Sequence, residues 1–225
     1  MPIEPAPTQW HLDLGQAKTG EDLVGVGADL EPGTLLAAYR SGIFPMGLGL
    51  RGGGTLGWWS PDPRGILRPR DVRVSRSLRK SHARFDFSVD SAFDQVVAAC
   101  AAPDRDGRWI TPEVARAYAE LHRLGWAHSV ETWRDGELVG GLYGVAIGGL
   151  FAGESMFHQA TDASKAALVH LVSLVSDTHG LIDVQWRTEH LASLGITEVR
   201  RTAYLELLSQ ALTEPLPSAF AGQPR

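Results

Sequence analysis

The dipeptide Asp135-Gly136 separates two runs, Ala127 to Arg134 and Glu137 to Ile147, whose composition suits β-strands. Asp-Gly supplies the positive φ angles of a two-residue turn, so the flanking runs are expected to form an antiparallel hairpin. Gly148-Gly149 makes a second tight turn into a third strand, Leu150 to His158. A long apolar-patterned helix follows from about Asp162 to His179, is closed by Gly180, and delivers the chain to a fourth strand, Leu181 to Trp186. A direct crossover places the third and fourth strands side by side in one sheet. The chain is therefore expected to be α+β.

Those last two strands carry polar groups where a buried strand is ordinarily apolar. Strict alternation puts Asp183 and Gln185 on one face and Ile182, Val184 and Trp186 on the other, while Ala152, Glu154 and Met156 share a face. Glu154, Asp183 and Gln185 can then line one pocket with Met156 as an apolar wall, a site for polar chemistry on a substrate with an apolar side chain. The alternative is that both carboxylates merely satisfy loop amides or pair with arginines at strand ends.

With 225 residues, 44% of them hydrophobic, the chain is long enough for a sizeable core. No apolar run reaches the length of a membrane span, and Met1-Pro2-Ile3-Glu4 opens without the basic and apolar regions of a secretory signal, so a cytoplasmic location is expected. One cysteine, Cys100, excludes an internal disulfide framework; its helical apolar surroundings point to a buried structural thiol. Helices are expected from Thr34 to Ser41, Ser91 to Ala101, Thr111 to Leu124, Glu189 to Leu194 and Thr202 to Leu212, and a strand from Phe85 to Val89, with a loop at Pro103 to Arg108. Thr111-Pro112-Glu113 combines an N-cap oxygen, a first-turn proline and an acid at the positive end of the helix dipole. Residues 1–62 read as a small N-terminal domain, 63–215 as the main domain and 216–225 as a loose tail.

The formal charge of -5 conceals a basic stretch. Between Arg64 and Arg84 eight cations face the single acid Asp71, leaving the rest of the chain strongly acidic. Arg73, Arg76, Arg79 and Lys80 can lie along one side of a short helix, with Arg84 beyond it, as a contact for a polyanion's phosphates; a merely solvated basic face is the alternative.

The ordered set G-A-D-L-E-P-G-T-L-L-A-A-Y-R-S-G-I-F-P, W-W-S-P-D-P-R, S-R-S-L-R-K, W-I-T-P, A-H-S-V-E-T-W, G-E-L-V-G-G-L-Y-G-V-A, F-A-G-E-S-M-F, A-S-K-A-A-L, L-I-D-V-Q and A-S-L-G strongly resembles the leucyl/phenylalanyl-tRNA–protein transferases. The resemblance runs from about Gly25 to Gly195. It implies a small N-terminal domain on a GNAT-like acyltransferase domain, and transfer of Leu or Phe, less well Met, from aminoacyl-tRNA to proteins beginning with Arg or Lys, which marks them for degradation by the N-degron pathway. It implies no metal or organic cofactor, and a monomer is expected. Acyl-CoA members of the GNAT fold hold pyrophosphate on a glycine-bearing loop at the start of the crossover helix; this chain has Ala160-Thr161-Asp162-Ala163-Ser164-Lys165 there, which argues against acyl-CoA as donor.

For such a reaction Asp183, Gln185 and Glu154 are the catalytic candidates, with Gln185 at the attacking amine or the ester carbonyl, Asp183 polarising Gln185, and both carboxylates attracting the acceptor's positive charge. Leu142, Val145 and Met156 are candidates for the donor side-chain pocket, with plain strand core as the alternative. Trp58, Trp59 and Trp109 are candidates to stack on the unpaired terminal adenosine of the tRNA, with packing as the alternative. Met46 stands where the family usually has a tryptophan that helps hold that adenosine; a thioether offers no broad π-face. Two further readings stay open: a non-catalytic module binding tRNA or basic N-termini, and an acyl-CoA N-acyltransferase.

Overall fold

The computed structural model describes residues 1–15, 17–103, 109–176 and 180–222. Most of the loop expected at 103–108, the expected end of the crossover helix at 177–179 and the last three residues lie outside the described residues.

Strands β1 (Leu23–Val26), β2 (Phe44–Gly47) and β3 (Leu56–Trp59) form an antiparallel sheet in the order β1-β3-β2, with α1 (Pro32–Arg40) between the first two. Helix α1 starts earlier than expected because Pro32 occupies its first turn, where a missing N–H costs nothing. A second sheet has seven strands: β4 (Arg64–Leu67), β5 (Asp86–Val89), β6 (Ala127–Arg134), β7 (Glu137–Ile147), β8 (Leu150–His158), β9 (Leu181–Gln185) and β10 (Thr197–Val199), in the order β10-β4-β9-β8-β7-β6-β5. The hairpin turns at Asp135-Gly136, both with positive φ, and the third and fourth expected strands, β8 and β9, lie side by side and parallel. The sequence patterning does not reveal β1, β2, β3, β4 or β10. Arg64 opens the basic stretch, yet Arg64–Leu67 is a strand that pairs with β9 on one edge and β10 on the other.

The remaining helices are α2 (Arg76–His82), α3 (Phe93–Cys100), α4 (Pro112–Arg123), α5 (Ala163–Leu174), α6 (Glu189–Ala192) and α7 (Arg201–Thr213). As expected, Thr111 caps α4 by accepting from the Val114 amide, and Cys100 is buried. One face of the large sheet packs against α1, α3, α4 and α7 through residues such as Tyr39, Val96, Tyr118 and Leu208; the other packs against α5 through Leu168 and Leu171. Gly140 of β7 permits the close approach of α5, since a Cβ there would lie 2.5 Å from that of Ala163. Among the described residues no helix is long and apolar enough to cross a membrane.

The segment expected to be a loose tail is packed where it is described. Leu216 and Ala219 lie against the α5-side core, and Phe220, in a turn of 3₁₀ helix, is 1% exposed.

Candidate active site

Strands β8 and β9 pair only at Leu150↔Leu181, Phe151↔Ile182 and Ala152↔Asp183. Beyond that register a cavity of about 340 Å³ lies between them, lined by Gly153 to Met156 of β8 and by Ile182, Val184 and Gln185 of β9.

A β-bulge decides what β8 presents to it. Tyr143 pairs with Ser155 and Gly144 with Gly153, leaving Glu154 as the extra residue. The bulge breaks the alternation, so Ala152 packs on the Tyr118 side while Met156 packs on the α5 side. The expectation that Ala152, Glu154 and Met156 share a face is therefore wrong. Glu154 turns at the gap and receives hydrogen bonds from Tyr39 on α1 (2.6 Å) and Tyr118 on α4 (2.9 Å). Burial raises its carboxyl from 4.5 to about 7, an increase that the two hydroxyl bonds only partly oppose. Burial and the neighbouring carboxylate push both tyrosines well above their ordinary value.

Strand β9 is likewise irregular. Asp183 pairs with Ile66 and Gln185 with Gly65, leaving Val184 extra, and Gln185 adopts a φ of 59°. Asp183 and Gln185 consequently do not point the same way. Asp183 faces a fully buried cluster: it accepts from Arg64 Nε (2.8 Å) and Nη2 (2.6 Å), from Tyr204 (2.8 Å) and from the backbone N–H of Gln185 (3.0 Å). Those four bonds fill the acceptor capacity of one carboxylate. Arg64 also donates to the Gly42 carbonyl and lies over the rings of Phe44 and Tyr204, tying β2 and α7 to β9. Asp183 holds it above its ordinary value despite the opposing effect of burial.

Gln185 is 8% exposed and lines the cavity, and its Nε2 has no hydrogen-bond partner among the described residues. A buried amide donor without a partner is costly unless something else uses it. Leu142 and Met156 line the same cavity, with Phe151, Leu168, Leu171 and Ile182 completing its apolar wall. Val145 does not: it is fully buried on the opposite face of the sheet.

The aromatic candidates divide. Trp58 is 1% exposed and donates to the Gly27 carbonyl, so it is core. Trp59 is half-buried and donates to the Met46 carbonyl; Met46 itself is half-buried. Trp109 is half-buried with its ring edge toward Tyr118. Trp186, expected on the apolar face of its strand, is 37% exposed, edge-on to Phe44 and Trp59, and donates to Asp22. Tyr39, Arg64, Tyr118 and Tyr204 were missed as site residues. The one available signal was that buried tyrosines and arginines require polar partners.

Arg73, Arg76, Arg79, Lys80 and Arg84 are all exposed, and none forms an ion pair among the described residues. Arg76, Arg79 and Lys80 lie on α2, which Ser75 caps; Ser81 at its end donates to Asp162 at the start of α5. Arg64 leaves the basic surface for the interior, and Arg68 pairs with Asp71.

The family model described as leucyl/phenylalanyl-tRNA protein transferase matches residues 66–209, and that of the same family's N-terminal domain matches 28–62. The chain belongs to the leucyl/phenylalanyl-tRNA–protein transferase family. A relative bearing that family name from Nitrosomonas europaea is 52% identical over 193 residues, 84% of this chain and 80% of its own length. Another, from Dechloromonas aromatica, is 52% identical over 197 residues, 85% of this chain and 82% of its own. Among solved structures, a GCN5-related N-acetyltransferase from Kribbella flavida overlaps 74% of this chain and 60% of its own length at 13% identity, with a TM-score of 0.37. Family membership makes the protein a transferase, and the cavity is its candidate active site.

Proposed function

We propose that the protein transfers Leu or Phe, and less well Met, from aminoacyl-tRNA to the N-terminal Arg or Lys of acceptor proteins, on a GNAT-like catalytic domain preceded by a small N-terminal domain. The observation that carries this reading is the unpartnered Gln185 amide beside a cavity whose lining joins the apolar Leu142, Phe151, Met156 and Leu168 to the polar Glu154, His158, Ser164 and His190. The donor's side chain fills the cavity beside Leu142 and Met156. Its ester carbonyl then lies at Gln185 Nε2, which donates a hydrogen bond as negative charge develops on the oxygen.

The acceptor arrives with an α-ammonium whose ordinary pKa is about 7.7 to 8.0. Asp183, neutralised by Arg64, positions the Gln185 backbone and is not the base. Glu154, poised near 7, takes the ammonium proton, and when ionised it is the site's uncompensated negative charge, which favours a cationic acceptor. The free amine nitrogen bonds to the ester carbon, the carbon–oxygen bond to the ribose breaks, and the ribose oxygen leaves as a hydroxyl carrying a proton from the attacking nitrogen. The exposed side of Trp186, with Trp59 and Trp109, is left for the terminal adenosine, and α2 for acceptor-stem phosphates. The start of α5 supports the exclusion of acyl-CoA: the Ala163 amide is already bonded to the Ala160 carbonyl, and no glycine lies there to cradle a pyrophosphate.

The test is transfer from charged tRNA to peptides beginning with Arg, Lys, Asp, Glu or Ala, with an acyl-CoA control. Transfer of Leu and Phe to Arg and Lys alone is the expected result; use of acyl-CoA, transfer to acidic N-termini, or tRNA binding without transfer overturns it.

Two predictions arise here. Arg76→Ala is expected to weaken tRNA binding evenly across tRNA sequences and to lower the slope of log affinity against log salt by about 1; an unchanged slope would show a merely solvated α2. The rate at low acceptor concentration is expected to rise from about pH 6 to about pH 8 as Glu154 and then the amine lose protons, and Glu154→Gln removes the lower of the two steps. Because the folded-state value of Glu154 lies above 4.5, its favourable contribution to stability is fully present below 4.5 and is lost as pH rises through about 7. Thermal melts of Glu154→Gln should therefore gain on wild type above pH 7 relative to pH 5.

A further inference from the structure

Phe220 lies beyond both matched stretches, the second of which ends at residue 209. Its ring is buried between two others, 5.5 Å from Phe151 and 4.7 Å from His128. Phe151 lines the cavity between β8 and β9. On its other side Phe220 walls a second cavity of about 160 Å³, together with Val89, Asp90, His122 and His128. The His128 ring cannot give way easily, because Nδ1 is 2.8 Å from Asp90 Oδ2 and Nε2 is 3.2 Å from the Gly125 carbonyl. Phe151 and Phe220 thus form a two-ring partition between the cavities, clamped at its far side.

We propose that Phe220 is a positioning residue for donor specificity, setting the depth of the donor side-chain pocket by holding Phe151 forward. This rests on the reading of that cavity as the donor pocket. Interiors close-pack, so a ring with no backing moves into the space behind it. Truncating Phe220 joins its vacated volume to the second cavity, and Phe151 drops back. The deepened pocket then contacts a leucyl side chain poorly and a bulkier side chain well, while Gln185, Glu154 and their partners, none of which touches Phe220 among the described contacts, stay in place.

The experiment is calorimetric binding of the full-length protein to two stable donor stubs, 3′-deoxyadenosine carrying leucine or phenylalanine through a 3′-amide. In Phe220→Ala the preference is expected to shift toward the phenylalanyl stub by about fivefold or more, and in Phe220→Leu, which keeps the core filled, by less. Equal weakening of both stubs, or an unchanged ratio in a folded Phe220→Ala, overturns the proposal and leaves the donor-pocket reading intact. If wild type binds neither stub, the donor-pocket reading fails and takes this inference with it.

Discussion

Gln185→Ala is expected to lower turnover about a hundred- to a thousandfold, the range for loss of one donor aimed at a developing oxyanion, with almost no change in unfolding free energy. The two halves of that result have one cause. Since Nε2 has no partner among the described residues, truncation breaks no internal hydrogen bond, and alanine inherits the same φ of 59° that glutamine already tolerates. What disappears is a contact made only with substrate, so single-turnover rates fall while urea denaturation midpoints stay put. A protein that loses stability in step with activity would place Nε2 in the fold instead.

Asp183→Asn is expected to do the reverse in part: to destabilise the protein by about 3–5 kcal/mol as well as to suppress transfer. Arg64 and Asp183 are each 1% exposed, and an amide leaves the guanidinium buried without its counter-charge. A buried pair adds little net stability over apolar residues of similar volume, but half of one is costly. Pairing Asp183→Leu with Arg64→Met should therefore recover much of the stability lost in Asp183→Asn. Activity should not return, because the Gln185 N–H would still lack its carboxylate acceptor and the amide would no longer be held at the cavity. Recovery of turnover in the double variant would show that Asp183 matters only to the fold.

The parts of this molecule written in local sequence were the ones that could be read. Asp135-Gly136 dictates its hairpin, and Thr111-Pro112 dictates the start of α4, because turn and cap chemistry act over a few residues. Strands β4 and β10 escaped notice because four and three residues are too short to show alternation, and arginine and glutamate among them resemble surface. The bulge at Glu154 is invisible for a different reason: an extra residue reverses the face of everything beyond it without altering composition. That reversal separated Met156 from Ala152, whereas Val145 missed the cavity for a simpler reason: three positions from Leu142 on a regularly alternating strand, it faces the other way. The partners of the site are longer-range still. Tyr39 meets Glu154 across 115 positions and Arg64 meets Asp183 across 119, distances over which only the completed fold selects a pair. Glu154 and Gln185 were readable because a polar side chain in an apolar strand demands an explanation. That Asp183 rather than Glu154 already has a cation was not readable, because Arg64 reaches it only in the completed fold.

The most direct measurement is a crystal structure with 3′-deoxyadenosine carrying leucine through a 3′-amide. The isobutyl group is expected between Leu142, Met156 and Phe151, with the carbonyl oxygen about 3 Å from Gln185 Nε2. A leucyl side chain lodged outside the cavity, or a carbonyl facing away from Gln185, would contradict it.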